Sequence, residues 1–232
     1  MDNKRIEAWL KRFNKRISHA LSYSFPTRKI ELQHQAAEEL NRYLELLDKK
    51  RRKLRDENDS DAANLFLGLM CYAESVITLL NMWMAIRTDE PTLAWENLVD
   101  SQSSVRAAMR AHEICHHHLG GFVDHLLVVE RIVFPDQQFV SPSFVVSKSS
   151  CSICDDDMYK CNHIPGFAYN GEFCVERVEN ISAADHVALV DHPEDKKRRI
   201  TTIPKDDYHV DTFTLERVDA DLEPNVAQMR IM

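Results

Sequence analysis

Apolar residues recur at helical spacing through the first half of the chain. Ile6, Trp9, Leu10, Phe13, Ile17 and Leu21 fall on one face with lysines and arginines opposite. This pattern predicts an amphipathic helix over residues 4–22 that Pro26 closes. A second helix over 29–57 carries Ile30, Leu32, Ala36, Leu40, Tyr43, Leu44 and Leu47 and ends in the run KKRRKLR at 49–55. Asp59 or Ser60 then caps a third, over 62–86. That third segment is apolar almost all round, yet Glu74 and Asn81, with Asn64, Ser75 and Thr78, interrupt every 18-residue window. The central helix of a bundle fits it better than a membrane span. A fourth helix is capped by Thr88 or Asp89, takes Pro91 in its first turn and runs to about Leu119. Gly120-Gly121 stops or kinks it, and a shorter helix continues to Phe134.

The texture changes at Pro135. Of five glycines only Gly68 precedes position 120, so backbone breakers concentrate in the second half. Residues 135–150 read as an extended linker with two prolines and several serines. Beyond them β-type segments recur at 167–169, 173–178, 186–190, 199–203 and 212–218, with turns between. The expected fold is α+β: a helical bundle over 1–134, the linker 135–150, and a small zinc-stabilised β-rich domain over 151–232. Its tail beyond Asp219 is expected to be loosely ordered.

Charge alters this picture more than length does. The net charge is −8. Residues 1–58 carry 15 Lys/Arg against 9 Asp/Glu, a balance of +6 that leaves −14 for the remainder. The basic start fits an acidic partner, nucleic acid, or the chain's own acidic half. Protein contacts are preferred to nucleic acid, because aromatic interleaving for base stacking is confined to Tyr43. A second basic cluster, KKRR at 196–199, follows Pro193 in a loop between strands. The opening MDNKRIEAWLKRF is charged throughout and has no apolar leader core, which predicts a cytoplasmic protein with reduced thiols.

In that setting clustered cysteines read as metal ligands. Four of the six lie within CSICDDDMYKCNHIPGFAYNGEFC, at residues 151–174. Cys151-x2-Cys154-x6-Cys161-x-His163 supplies three thiolates and an imidazole, the donor set of a tetrahedral structural Zn²⁺ site. Cys174, returned by turns at Gly166 and Gly171, is the alternative fourth ligand. Cys71 and Cys115, in apolar helical stretches, read as plain buried cysteines.

Two further patterns sit on one helix. His112-Glu113-x-x-His116 has the spacing of zinc hydrolases, in which two histidines one turn apart hold a metal and the glutamate acts as base. No strand precedes it, and a histidine-rich helix end is the plainer reading. Arg106-x5-His112 and Arg110-x5-His116 match the loose arginine–histidine spacing of HEPN-type ribonucleases, all-helical proteins that cleave RNA by general acid/base chemistry. Ala107 and Ala111 stand where those enzymes usually carry a polar residue.

The stretch 62–203 resembles a family of uncharacterised bacterial proteins found among mobile or phage-associated genes. AWENLVDSQ, FPDQQFVSP, the cysteine module and HVALVDHPEDKKRRI carry the resemblance. It implies a subunit of a multi-protein defence or mobile-element system and no assigned activity. Residues 186–193 are also similar to a segment of phage prohead proteases, at His186, Leu189, Val190 and Pro193. No serine–histidine pair accompanies them, so no protease residues follow. The leading expectation is a non-catalytic interaction or adaptor protein that binds a protein partner or a second copy. The alternative is a HEPN-like ribonuclease or metal hydrolase using residues 106–116.

Overall fold

A computed structural model gives the fold over residues 1–25, 28–205 and 208–218. Six helices come first: α1 (Asn3–Leu21), α2 (Ile30–Asp56), α3 (Ser60–Arg87), α4 (Pro91–Ala111), α5 (Glu113–His118) and α6 (Gly120–Val133). Seven strands follow, so the chain is α+β, as its patterning predicts. α1 begins at Asp2, whose carboxylate accepts from Arg5 N–H, and ends where the Ser22 N–H and hydroxyl return to carbonyls of the last turn. Pro26, expected to close it, lies outside the described residues, as does the tail beyond Val218.

α3 is the centre. Leu65, Phe66, Leu79, Leu80 and Met82 are fully enclosed, with α2 on one side and α4 on the other. By length and composition α3 could cross a membrane, but 67% of its most apolar stretch is buried inside the fold. Its small and polar residues have packing roles. A Cβ at Gly68 would sit 2.8 Å from Cys115 Sγ and 3.2 Å from the Ala108 carbonyl, so glycine permits the close approach of α4 and α5. Ser75 and Ser101 are both buried and donate to each other's carbonyls at 2.6 and 2.8 Å, which closes the α3–α4 seam without an orphaned hydroxyl.

The break after α4 comes earlier than expected. Instead of running to Leu119, α4 stops at Ala111, because His112 adopts φ −158°, ψ 144° and becomes the N-cap of α5. At the other end Glu90 occupies the cap position, next to Asp89 at φ 60°, and Pro91 opens the helix.

The segment 135–150 is extended, but it is no free linker. Phe139–Cys151 forms β1, paired antiparallel with β4 (Glu176–Val190) from Phe139↔Val190 to Cys151↔Glu176, with four register shifts along the way. β2 (Ala168–Tyr169) and β3 (Glu172–Phe173) form a hairpin within the connection between them. β5 (Thr202–Lys205), β6 (Tyr208–Asp211) and β7 (Arg217–Val218) make a separate three-stranded sheet. The expected strand at 199–203 is thus shifted towards the C-terminus. Of 212–218 only the last two residues are strand.

Both ends of the β1–β4 ribbon are anchored on the bundle. At the Phe139 end, buried Phe139 stacks on Trp95, which Phe134 and Phe213 also meet, at centroid distances of 5.2–6.1 Å. At the Cys151 end the β2–β3 hairpin docks on α2 and α3. Thirteen residues of strand reach about 43 Å, and the 28 residues of α3 about 42 Å, so the ribbon has the length to run from one end of the central helix to the other.

Candidate metal centre and its docking contacts

The last residue of β1 opens the metal loop. After Cys151 the chain turns through Ser152 and Ile153, with Asp155 N–H donating to the Cys151 carbonyl at 2.9 Å and Asp155 at φ 59°. The turn aims the Ile153 amide at Cys151 Sγ (3.3 Å) and sets Cys154 Sγ 3.5 Å from Cys161 Sγ. A second tight turn aims the His163 amide at Cys161 Sγ, at 3.1 Å. Imidazole Nδ1 then lies 3.2 Å from Cys161 Sγ and 3.6 Å from Cys151 Sγ. Tyr169 packs edge-on against the ring at 4.5 Å, and its hydroxyl accepts from Ile164 N–H at 2.9 Å, which holds the ligand turn against the hairpin.

The donor atoms of Cys151, Cys154, Cys161 and His163 all lie within 4.8 Å of one another, and no disulfide joins them. Ligand bonds of about 2.3 Å for sulfur and 2.0 Å for nitrogen, in a tetrahedron, give edges of about 3.5–3.8 Å, so the four donors fit one metal ion. Cys174 is buried with Sγ 3.6 Å from Cys151 Sγ, but it falls outside this mutually close set. The structure therefore brings together the four residues that the spacing selects, with Cys174 behind Cys151.

The thiols of the loop act electrostatically on one another. Burial works to raise the Cys151 pKa, but the amides of Ile153 and Cys154 and the thiols of Cys161 and Cys174 outweigh it and bring the group down to about 6. Cys154 receives a stabilising bond from the Asp156 amide. Although Cys154 is exposed, local desolvation and the proximity of Cys161 and Cys151 push it up to about 12, and burial with Cys151 lifts Cys174 to about 11. A single thiolate is favoured among crowded thiols, and a dication is what allows several to ionise together. Cys71 and Cys115, outside the loop, are buried and pushed up to about 12 by desolvation.

The loop is locked to the helices by contacts that no motif announces. Tyr169-Asn170-Gly171-Glu172 makes a two-residue turn with Asn170 at φ 49° and Gly171 at φ 77°, the conformation that an Asn-Gly pair favours in a tight hairpin. Its tip meets α2 and α3. Arg51 Nη1 donates to the Gly171 carbonyl (2.6 Å), Gly171 N–H to Asn64 Oδ1 (2.7 Å), and Asn64 Nδ2 to the Ala168 carbonyl (3.2 Å). Asn170 N–H donates to Ser60 Oγ (3.2 Å), Arg55 pairs with Glu172, and Arg110 Nε reaches the Gly166 carbonyl from α4 (3.1 Å).

Much of the KKRRKLR run is thus spent within the protein. Arg51 and Arg52 both bind Asp48 at 2.6 Å, and Lys53 lies 3.6 Å from Glu57. The 196–199 cluster has the same fate. Lys196 pairs with Glu130 (2.6 Å) and Lys197 with Asp100 (2.6 Å). The Lys196 carbonyl accepts from Trp95 Nε1 at 2.9 Å. Arg199 is buried over the Phe213 ring (3.6 Å) and donates to Thr92 and Thr212. Arg51 and Arg55 of the basic start meet the Gly171 carbonyl and Glu172 of the acidic remainder, while Lys196 and Lys197 pair with helical acids of that remainder.

The helix break corrects the hydrolase geometry. His112 Nδ1 accepts from Ile114 N–H at 3.1 Å and Nε2 lies 3.2 Å from Asp61 Oδ1, so the neutral ring carries its proton on Nε2 and both nitrogens are committed. His112 is buried, whereas Glu113 and His116 are exposed. The two imidazoles do not share one helical face, and among the described residues no metal-type cluster includes them. The arginine–histidine spacing is interrupted by the same break. Arg110 serves docking, while exposed Arg106 lines a cleft between α6 and residues 191–196.

Comparison with protein-family models, with curated proteins and with solved structures finds no match to this chain.

Proposed function

We propose that this chain is a non-catalytic interaction protein, with Zn²⁺ as a structural ion and the β1–β4 ribbon as the surface that meets a protein partner. The carrying observation is the ribbon. It is anchored at both ends, yet Phe144 and Val145 in its middle, and Val178 and Val187 towards its two ends, are exposed. Among the described residues it has two strands only: β4 keeps an outer edge without a neighbouring strand, and the outer edge of β1 is bridged only near its ends, at Phe139↔Arg199 and Ser150↔Asp157. A two-stranded ribbon is marginal by itself, and open edges with apolar side chains are the usual template for adding a strand from another chain.

The metal fits this role. A Cys₃His set occupies all four positions of a tetrahedral ion, leaving none for substrate, and supplies on the order of 10 kcal/mol of folding energy in small modules. Here it would fix the end of the ribbon against the hairpin that docks on α2 and α3. A place in a bacterial multi-protein system is consistent with a partner-binding scaffold.

The test is Val145→Lys/Val187→Lys, which charges the ribbon without touching the metal loop or the core. Sedimentation and co-purification should show a stoichiometric protein partner, or a second copy, bound to the unaltered chain and lost from the variant at equal metal content. A monomer that retains no protein in either form contradicts the reading.

A further inference from the structure

Much of the positive charge that the docking contacts do not consume lies on α1. This helix carries Lys4, Arg5, Lys11, Arg12, Lys15 and Arg16 against the single acid Glu7. Part of it faces a cleft of about 560 Å³ between α1 and α2, where Arg12, Lys15, Arg16 and His19 line one wall and Tyr43 and Leu46 belong to the other. That volume suits a small ligand.

Three features distinguish this cleft from an ordinary basic face. Among the described residues Lys15, Arg16 and His19 form no ion pair, and Arg12 makes only a 3.2 Å bond to the Ala8 carbonyl of its own helix. The guanidinium groups are also ordered by aromatic rings: Arg12 lies 4.8 Å from the Trp9 centroid and Arg16 4.6 Å from that of Tyr43. Finally, Tyr43 is 5% exposed and its hydroxyl is buried with no hydrogen-bond partner. A buried hydroxyl left without a partner is destabilising. Burial raises the Tyr43 phenol while Arg16 and Arg12 pull it down, placing both cations electrostatically close to that oxygen.

We infer that the α1–α2 cleft is a binding site for a small phosphate-bearing ligand, held by Arg12, Lys15 and Arg16 beside the Tyr43 ring. Guanidinium groups preorganised on aromatic faces match phosphate oxygens with two donors each, and several converging cations favour a multiply charged anion over a single carboxylate. Glu39 is the one acid in the lining, and it sets a limit on how much negative charge the cleft tolerates. The assignment does not depend on the ribbon or on the metal.

Binding is measured on the full chain by calorimetry and by fluorescence of Trp9, with inorganic pyrophosphate and adenosine triphosphate as separate probes. At least one should bind saturably, and Arg12→Ala/Arg16→Ala should weaken it tenfold or more while Lys53→Ala leaves it unchanged. Preference for pyrophosphate would assign the site to phosphate alone, and preference for the nucleotide would add its base and sugar to what the cleft recognises. No saturable binding, or equal binding by the double-alanine variant, overturns the inference. So does binding of a single-stranded oligonucleotide far tighter than that of either probe, which would make the site part of a nucleic-acid surface.

Discussion

Gly171→Ala tests how the metal loop is tied to the helices. Gly171 sits at φ 77°, where an alanine costs about 1–2 kcal/mol through its Cβ. That Cβ would also lie 3.1 Å from Ala63 Cβ and 3.3 Å from Arg51 Cγ, so the hairpin tip must retreat from α3 by a few tenths of an ångström. Retreat lengthens the Arg51–Gly171 and Gly171–Asn64 hydrogen bonds, now 2.6 and 2.7 Å, each worth about 0.5–1.5 kcal/mol. Together these give a loss of about 2–5 kcal/mol, or a melting temperature lower by about 4–20 °C for a chain of this size. Urea denaturation and calorimetry measure it, with Gly121→Ala as control. Gly121 lies in α6 with nothing within 4 Å of an added Cβ, and alanine there should stabilise by up to about 1 kcal/mol. If Gly171→Ala melts within about 1 °C of the unaltered protein, the hairpin is not held against α3 as described.

Two other outcomes follow from the bundle. Leu80→Ala, at a fully enclosed position of α3, should cost about 2–5 kcal/mol in urea denaturation, and an unchanged midpoint would place that face at an interface. Burial works to raise the Asp48 carboxyl, but the bonds from Arg51 and Arg52 outweigh it and hold it below its ordinary value of 3.8. A depressed carboxyl contributes stability above its unfolded pKa and loses it as pH falls through the folded one. The stability difference between the unaltered chain and Asp48→Asn should therefore be constant above about pH 5 and shrink below about pH 4. A difference that persists unchanged at pH 2.5 would refute the pairing.

The helices and the metal ligands are legible because local chemistry sets them. The period of Phe13, Ile17 and Leu40 is a helix signal, and the Cys151–His163 spacing is dictated by the reach of two short turns. The break at His112 is not legible that way, since Ala111-His112-Glu113 contains no breaker. What stops α4 is His112 serving at once as N-cap and as partner of Asp61, 51 residues away. Residues 139–151 mislead for a related reason. Pro142 and the serines look like linker composition, and their pairing depends on β4, which follows an intervening metal loop. Which of the three partners the basic runs meet is not legible either, because the Gly171 carbonyl, Glu172, Glu130 and Asp100 are distant in sequence. The Asn170-Gly171 pair was the one local sign of the docking hairpin.

The central claim is that Cys151, Cys154, Cys161 and His163 close around one structural metal ion that holds the β part of the chain in place. Metal content per chain, measured by native mass spectrometry alongside limited proteolysis, tests it most directly. One zinc per chain is expected, retained in Cys174→Ser. Cys154→Ser should lose it, and cleavage should then spread from about residue 145 onward while the helices stay resistant. Stoichiometric zinc in Cys154→Ser, or zinc lost in Cys174→Ser but kept in His163→Ala, would contradict it.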